Sequence, residues 1–138
     1  MVKEFWINLP VKDIKKSREF FTAIGFSFSE GPGNSDESAV LLVGSKNMVV
    51  MLFEESVFRG FTGNQVTDLT NSCEVLFSID AESPKEIDNL ADKVLAAGGK
   101  LFSKPAENQG WMYGCGFTDL DGHRWNVLHM DMAKMGGH

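Results

Sequence analysis

Two polar side chains interrupt a run that otherwise reads as a hydrocarbon strand. In Arg124-Trp-Asn-Val-Leu-His-Met130, Asn126 and His129 stand among Trp125, Val127, Leu128 and Met130. A buried polar group without a partner costs on the order of 1–3 kcal/mol, so each must find a hydrogen bond in the core or face a binding cavity. They are three residues apart, and alternation sends them to opposite faces of a strand. A second group comprises Phe58, Phe61, Trp111, Met112 and Tyr113, which fall in or next to loops. Each alone would serve to cap a core, but together such residues make an adaptable apolar ligand surface. Other chemistries lack their signatures. There is no phosphate-cradling glycine loop followed by Lys-Ser/Thr, no Gly-x-Ser-x-Gly elbow and no HExxH helix.

The elements that position these residues form an internal repeat. Residues 4–11 read as a strand ending near Pro10, and Asp13 caps a helix over 13–24 whose apolar face is Ile14, Ser17, Phe21 and Ile24. Gly25 stops that helix, and strands follow at 26–30, 38–43 and 48–54. Residues 55–72 have no sustained period and read as a connector, with a helical turn at 56–58. The pattern then restarts with a strand at 73–80. Ser83-Pro-Lys-Glu86 forms a capping box for a helix over 83–97, with Ile87, Leu90, Ala91, Val94 and Leu95 on its buried face. Gly98-Gly99 ends it. A short strand at 100–103, a loop at 104–109 and a hairpin complete the half. The hairpin pairs 113–118 with 123–130 around the turn Asp119-Leu-Asp-Gly122. Leu9-Pro-Val-Lys-Asp13 matches Phe77-Ser-Ile-Asp-Ala81, and Gly25 matches Gly98. Both halves therefore spell βαβββ: module one at 4–54, the connector, module two at 73–131 and a tail at 132–138.

The bulk numbers narrow the field. At 138 residues the chain suits one domain with a single sizeable core. A net charge of −6 and a pI near 5.0 prepare no surface for nucleic acid or an anionic membrane. No apolar run is long enough to span a bilayer, and the N-terminus lacks a signal-peptide pattern, so a cytoplasmic location is expected. Cys73 and Cys115 form no CxxC pair and read as buried free thiols.

Three segments carry a family resemblance: the run from Asn8 to Phe26 with its Asn-Leu-Pro-Val-Lys-Asp start, the helix end Ala96-Ala-Gly-Gly-Lys100, and Phe117-Thr-Asp-Leu-Asp-Gly-His123. On these the chain resembles the vicinal oxygen chelate superfamily, which includes glyoxalase I, bleomycin-resistance proteins, fosfomycin-resistance enzymes and extradiol dioxygenases. The resemblance implies an α+β fold in which two βαβββ modules form a curved mixed sheet around a cleft, commonly in a homodimer. Metal-dependent members bind a divalent ion there, through His or Gln near strand starts and Glu near strand ends. Carried onto this chain, those positions fall on Trp6, Met51 (with Val50 one register away), Glu74 and Asn126. One carboxylate and one amide are too few for a metal shell, so no metal and no other cofactor is expected. Of the remaining candidates, His123 reads as a solvated residue beside the turn, and His138 belongs to a Gly-Gly-His tail. Glu74 reads equally as a surface carboxylate guarding a strand edge.

The expected ligand-binding residues are Trp6, Asn8, Met51, Glu74, Trp111, Tyr113 and Asn126, with Leu76 and Leu128 adjoining them. Three functions fit. The first is a metal-free binder of a small organic molecule, of the bleomycin-resistance type, with Glu74 favouring a cationic group. The second is a lyase, isomerase or dioxygenase with an atypical metal site around Glu74. The third is a cofactorless enzyme with Glu74 as its general base in an apolar cleft.

Overall fold

A computed structural model of the chain describes residues 1–135. It forms two compact units, Met1–Asp68 and the residues from Leu69 onward. The first contains β1 (Ile7–Val11), α1 (Ile14–Ala23), β2 (Ser27–Phe28), β3 (Ser38–Val43), β4 (Met48–Glu54) and α2 (Glu55–Thr62). The second contains β5 (Leu76–Asp80), α3 (Pro84–Ala96), β6 (Lys100–Asn108), β7 (Met112–Thr118), β8 (Arg124–Met130) and α4 (Met132–Met135). Their sheets run β1-β4-β3-β2 and β5-β8-β7-β6, the same order twice. In each, the first strand pairs parallel to the last and the other pairs are antiparallel. The fold is α+β with mixed sheets, as the repeat implies.

Local chemistry accounts for the helix boundaries. The Asp13 carboxylate accepts from the Lys16 N–H at 3.0 Å and opens α1, and Gly25 follows its end at φ 103°. Ile14, Ser17, Phe20 and Phe21 are buried on α1, and Leu9, Val11, Ala39, Leu41, Val50 and Leu52 fill the sheet face beneath it. Burying each large side chain contributes roughly 1.5–3 kcal/mol. In α3 the Ser83 hydroxyl accepts from the Glu86 N–H at 3.2 Å. The Glu86 carboxylate accepts from the N–H of Glu82, one residue before the cap, so the reciprocal half of the expected box is displaced. The buried face of α3 is Ile87, Ala91 and Val94, while Leu90 is half-buried and Leu95 is exposed.

Five expectations need correction. The connector at 55–72 begins with a two-turn helix, α2, ended by Gly63 in the left-handed region. Gly60 weakens its local signal by about 1 kcal/mol relative to Ala, and tertiary contact restores it: the Phe61 ring meets Phe53 edge-on at 5.0 Å. Strand β5 starts at Leu76 rather than at 73, and Cys73 is exposed, whereas Cys115 is buried as expected. Strand β6 continues to Asn108 where a loop was expected. It lies at the sheet edge, which tolerates Pro105 and the register shifts between Leu101 and Ala106.

His123 is the fifth. It is buried beside Asp119, itself 6% exposed. One Asp119 oxygen accepts from the N–H groups of Asp121 and His123, each at 3.0 Å, and the other from the Trp125 indole at 3.2 Å. Burial pushes the Asp119 carboxyl above its ordinary value, against the opposing pull of His123 and the Trp125 N–H. His123 therefore belongs to the turn that aims β8. His138 lies outside the described residues.

Candidate ligand-binding faces

Alternation gives each sheet a face packed under its helix and a face turned away from it. In the first unit Asn8 lies opposite Met51 and Met51 opposite Val40, one row across β1, β4 and β3 on the face away from α1. Trp6 precedes β1 and is 53% exposed, two residues before Asn8. Asn8 and Met51 are thus brought together, and Trp6 stands just outside the strand. Gly33, unremarked in the sequence, presses its loop onto this row: a β-carbon there would stand 2.8 Å from Val40 Cγ2, and its φ is 99°. Asn34 holds the loop in place. Its amide donates to the Ser29 and Gly31 carbonyls at 2.7 and 2.8 Å and accepts from the Val40 N–H at 3.1 Å.

The second unit repeats the row. Ser78 lies opposite Asn126, and the Asn126 amide donates to the Ser78 hydroxyl at 3.4 Å. Asn126 is flanked on β8 by Arg124 and Leu128, and its β7 neighbour is Gly116. The Phe102 ring occupies the space that a side chain at Gly116 would need, and Leu128 does the same over Gly114. The Arg124 guanidinium carbon sits 4.5 Å from the centroid of the Phe102 ring. Neither Arg124 nor Phe102 was marked in the sequence. Phe102 falls within the short strand read at 100–103, but the pairing irregularity between Leu101 and Ser103 that surrounds it has no local signal in the sequence.

Other expected residues are placed apart from these rows. Tyr113 is on the α3 side of its sheet, where its hydroxyl donates to the Asp88 carboxylate at 2.6 Å. That bond, with burial second, raises the Tyr113 phenol above its ordinary value. His129 pairs in register with Tyr113 on the same side, opposite to Asn126, and its Nδ1 lies 3.1 Å from the Ala81 carbonyl. Trp111 is half-buried in the turn between β6 and β7. Glu74 is exposed at a bend before β5.

Comparison with known proteins agrees with this architecture. Residues 4–44 match the family model described as bleomycin resistance protein-like N-terminal. A hypothetical protein from S. aureus is 35% identical over 93% of this chain and 94% of its own, with a TM-score of 0.82. The chain belongs to the glyoxalase/bleomycin-resistance/dioxygenase family. A glyoxalase/bleomycin resistance protein/dioxygenase family enzyme from Burkholderia phytofirmans shares the fold at 18% identity, covering 91% and 96% of the two chains, with a TM-score of 0.77. So does the fosfomycin resistance protein FosX from Listeria monocytogenes, solved with Mn(II) and sulfate, at 17% identity, full coverage of both chains and a TM-score of 0.70. A search of curated proteins found no match.

The donor set of this family member does not fit a divalent metal. The Asn8–Met51 row corresponds to the Ser78–Asn126 row, so two residues upstream of each row stand Trp6 and Leu76. Leu76, not Glu74, is therefore the counterpart of Trp6, because β5 starts at Leu76 rather than at residue 73. An indole, a thioether, an alkyl group and an amide supply no set for a hard or borderline ion. Among the described residues, no three His, Cys, Asp or Glu side chains come together as a possible metal site.

Proposed function

We propose that this family member is a metal-free binder of a small organic molecule, of the bleomycin-resistance type. It holds a ligand with an aromatic or extended apolar part against the helix-free face of a sheet. The observation that carries this is the filling of the metal positions by Trp6, Met51, Leu76 and Asn126. These groups favour stacking and dispersion, and in the second unit Asn126 with Ser78 orients a polar end by hydrogen bonds. An enzyme built on Glu74, with or without a metal, draws less support, since Glu74 is exposed and outside β5. The chain is further proposed to form a homodimer, with Phe58 and Phe61 of α2 contributing to its contacts; a monomer by light scattering at micromolar concentration would count against this. No helix among the described residues is long and apolar enough to cross a membrane. The free, exposed Cys73 suits a reducing compartment, and a cytoplasmic location is proposed.

The test is a ligand screen followed by affinity measurement on variants. Trp6→Ala is expected to weaken binding by roughly 1–3 kcal/mol, the scale of a lost aromatic contact. Unchanged affinity in both Trp6→Ala and Asn126→Ala would place the ligand elsewhere. Metal-stimulated glyoxalase turnover would sink the metal-free reading.

A further inference from the structure

Among the described residues, two arginine guanidinium groups lie over phenylalanine rings, and the two differ in one respect. Arg18 lies 4.7 Å above Phe28, and its terminal nitrogens are engaged: one donates to the Asn34 side chain at 2.9 Å, the other to Glu30 at 3.3 Å. Arg124 lies 4.5 Å above Phe102 and has no carboxylate partner and no side-chain hydrogen bond among the described residues. It is half-buried, in a row with Leu76 and beside Asn126. Stacking occupies the flat side of a guanidinium and holds it still, while the N–H groups on its rim remain able to donate. A fixed planar fork with free donors matches a carboxylate, which accepts two parallel charge-assisted hydrogen bonds.

Asn126 and Ser78 extend the polar centre. The Ser78 hydroxyl accepts from Asn126, so its own proton is free to be donated, and the Asn126 oxygen is free to accept. Phe102, Leu76 and Leu128 border this polar group with apolar surface. The net charge of −6 does not oppose an anion here, because a Debye length of about 10 Å at 0.1 M salt screens distant charge while a direct pair is screened much less.

We infer that Arg124, fixed by Phe102 and flanked by Asn126 and Ser78, binds the carboxylate of a small organic acid whose apolar body rests on Phe102, Leu76 and Leu128. This deepens the small-molecule reading and reverses the cation preference that Glu74 suggested. The test uses a matched planar pair, benzoate and benzamide, titrated into the full chain and followed by NMR, including the arginine side-chain N–H signals. Benzoate is expected to shift the Arg124 signal and the backbone amides at 76–78 and 124–128, leave Arg18 unmoved, and bind at least tenfold more tightly than benzamide. Arg124→Gln is expected to reduce benzoate to the benzamide level. Arg124→Lys, which keeps the charge but loses the fork, is expected to restore less than half of that loss in binding free energy. Equal binding of the pair at this face, or benzoate binding untouched by Arg124→Gln, would overturn the carboxylate assignment and leave the small-molecule reading standing. Binding of neither at this face would overturn the assignment too, and with it the use of this face by small molecules.

Discussion

Tyr113 is the chain's one tyrosine, and its hydroxyl is bound to Asp88, a residue twenty-five positions earlier. A phenol that donates to a carboxylate ionises reluctantly, since the phenolate would lose that bond and face the negative charge. The folded protein thus holds this proton more tightly than the unfolded chain. Whatever stability the bond supplies is complete below the ordinary phenol value of 10.0 and is lost as pH rises through the higher folded value. Ultraviolet titration reads this single group without interference from other tyrosines. Its midpoint is expected above 10 and should fall in Asp88→Asn; an unchanged midpoint in the variant would deny the bond its role. Asp119 is a second residue whose weight comes from its partners. Removing its carboxylate in Asp119→Ala leaves buried N–H groups unpaired, at a cost of about 1–3 kcal/mol by chemical denaturation.

At the scale of elements, α3 offers the cleanest comparison. Ile87 is fully buried and Leu95 is 54% exposed on the same helix, although heptad counting from sequence puts both on one face. Ile87→Ala is expected to cost roughly 2–5 kcal/mol, the range for a large core side chain, whereas Leu95→Ala should stay within about 0.5 kcal/mol. Equal costs would mean that α3 is rotated from the orientation described. The α1 cap gives a smaller effect: Asp13→Ala should lose about 1 kcal/mol, through the Lys16 N–H that its side chain satisfies. Helices of this kind announce themselves because caps and stop signals are local. Strand β6 does not, because Lys104, Pro105 and Glu107 show no alternation and its strand state depends on pairing with β7.

For the molecule as a whole, the issue is whether its stability is tied to a metal. An ion present at a hundred times its dissociation constant would add about 2.7 kcal/mol to the folded state. With Trp6, Met51, Leu76 and Asn126 at the corresponding positions, chelator treatment is expected to leave the melting temperature unchanged, and added Mn(II) or Zn(II) should not raise it. A chelator-dependent fall in melting temperature, restored by one of these ions, would refute this. The acidic balance of the chain predicts no measurable affinity for duplex DNA at physiological salt, and a salt-dependent gel shift would refute that expectation.

The amino-acid sequence by itself determined the repeat, the βαβββ order within each half, the caps at Asp13 and Ser83, the turn at Asp119–Gly122 and the family likeness. All of these rest on neighbours in the chain: hydrogen bonds a few residues long, glycine at positive φ, and apolar spacing. Only the tertiary structure decided which residues share a face. A strand start displaced by a few residues exchanges Glu74 for Leu76 at the position matching Trp6. Tyr113 went to the α3 side because its register partner on β8 is His129, on the face opposite to Asn126. Phe102 met Arg124 because an edge strand paired across a glycine that leaves room for its ring. Pairing register joins segments far apart in sequence, and no local propensity encodes it residue by residue.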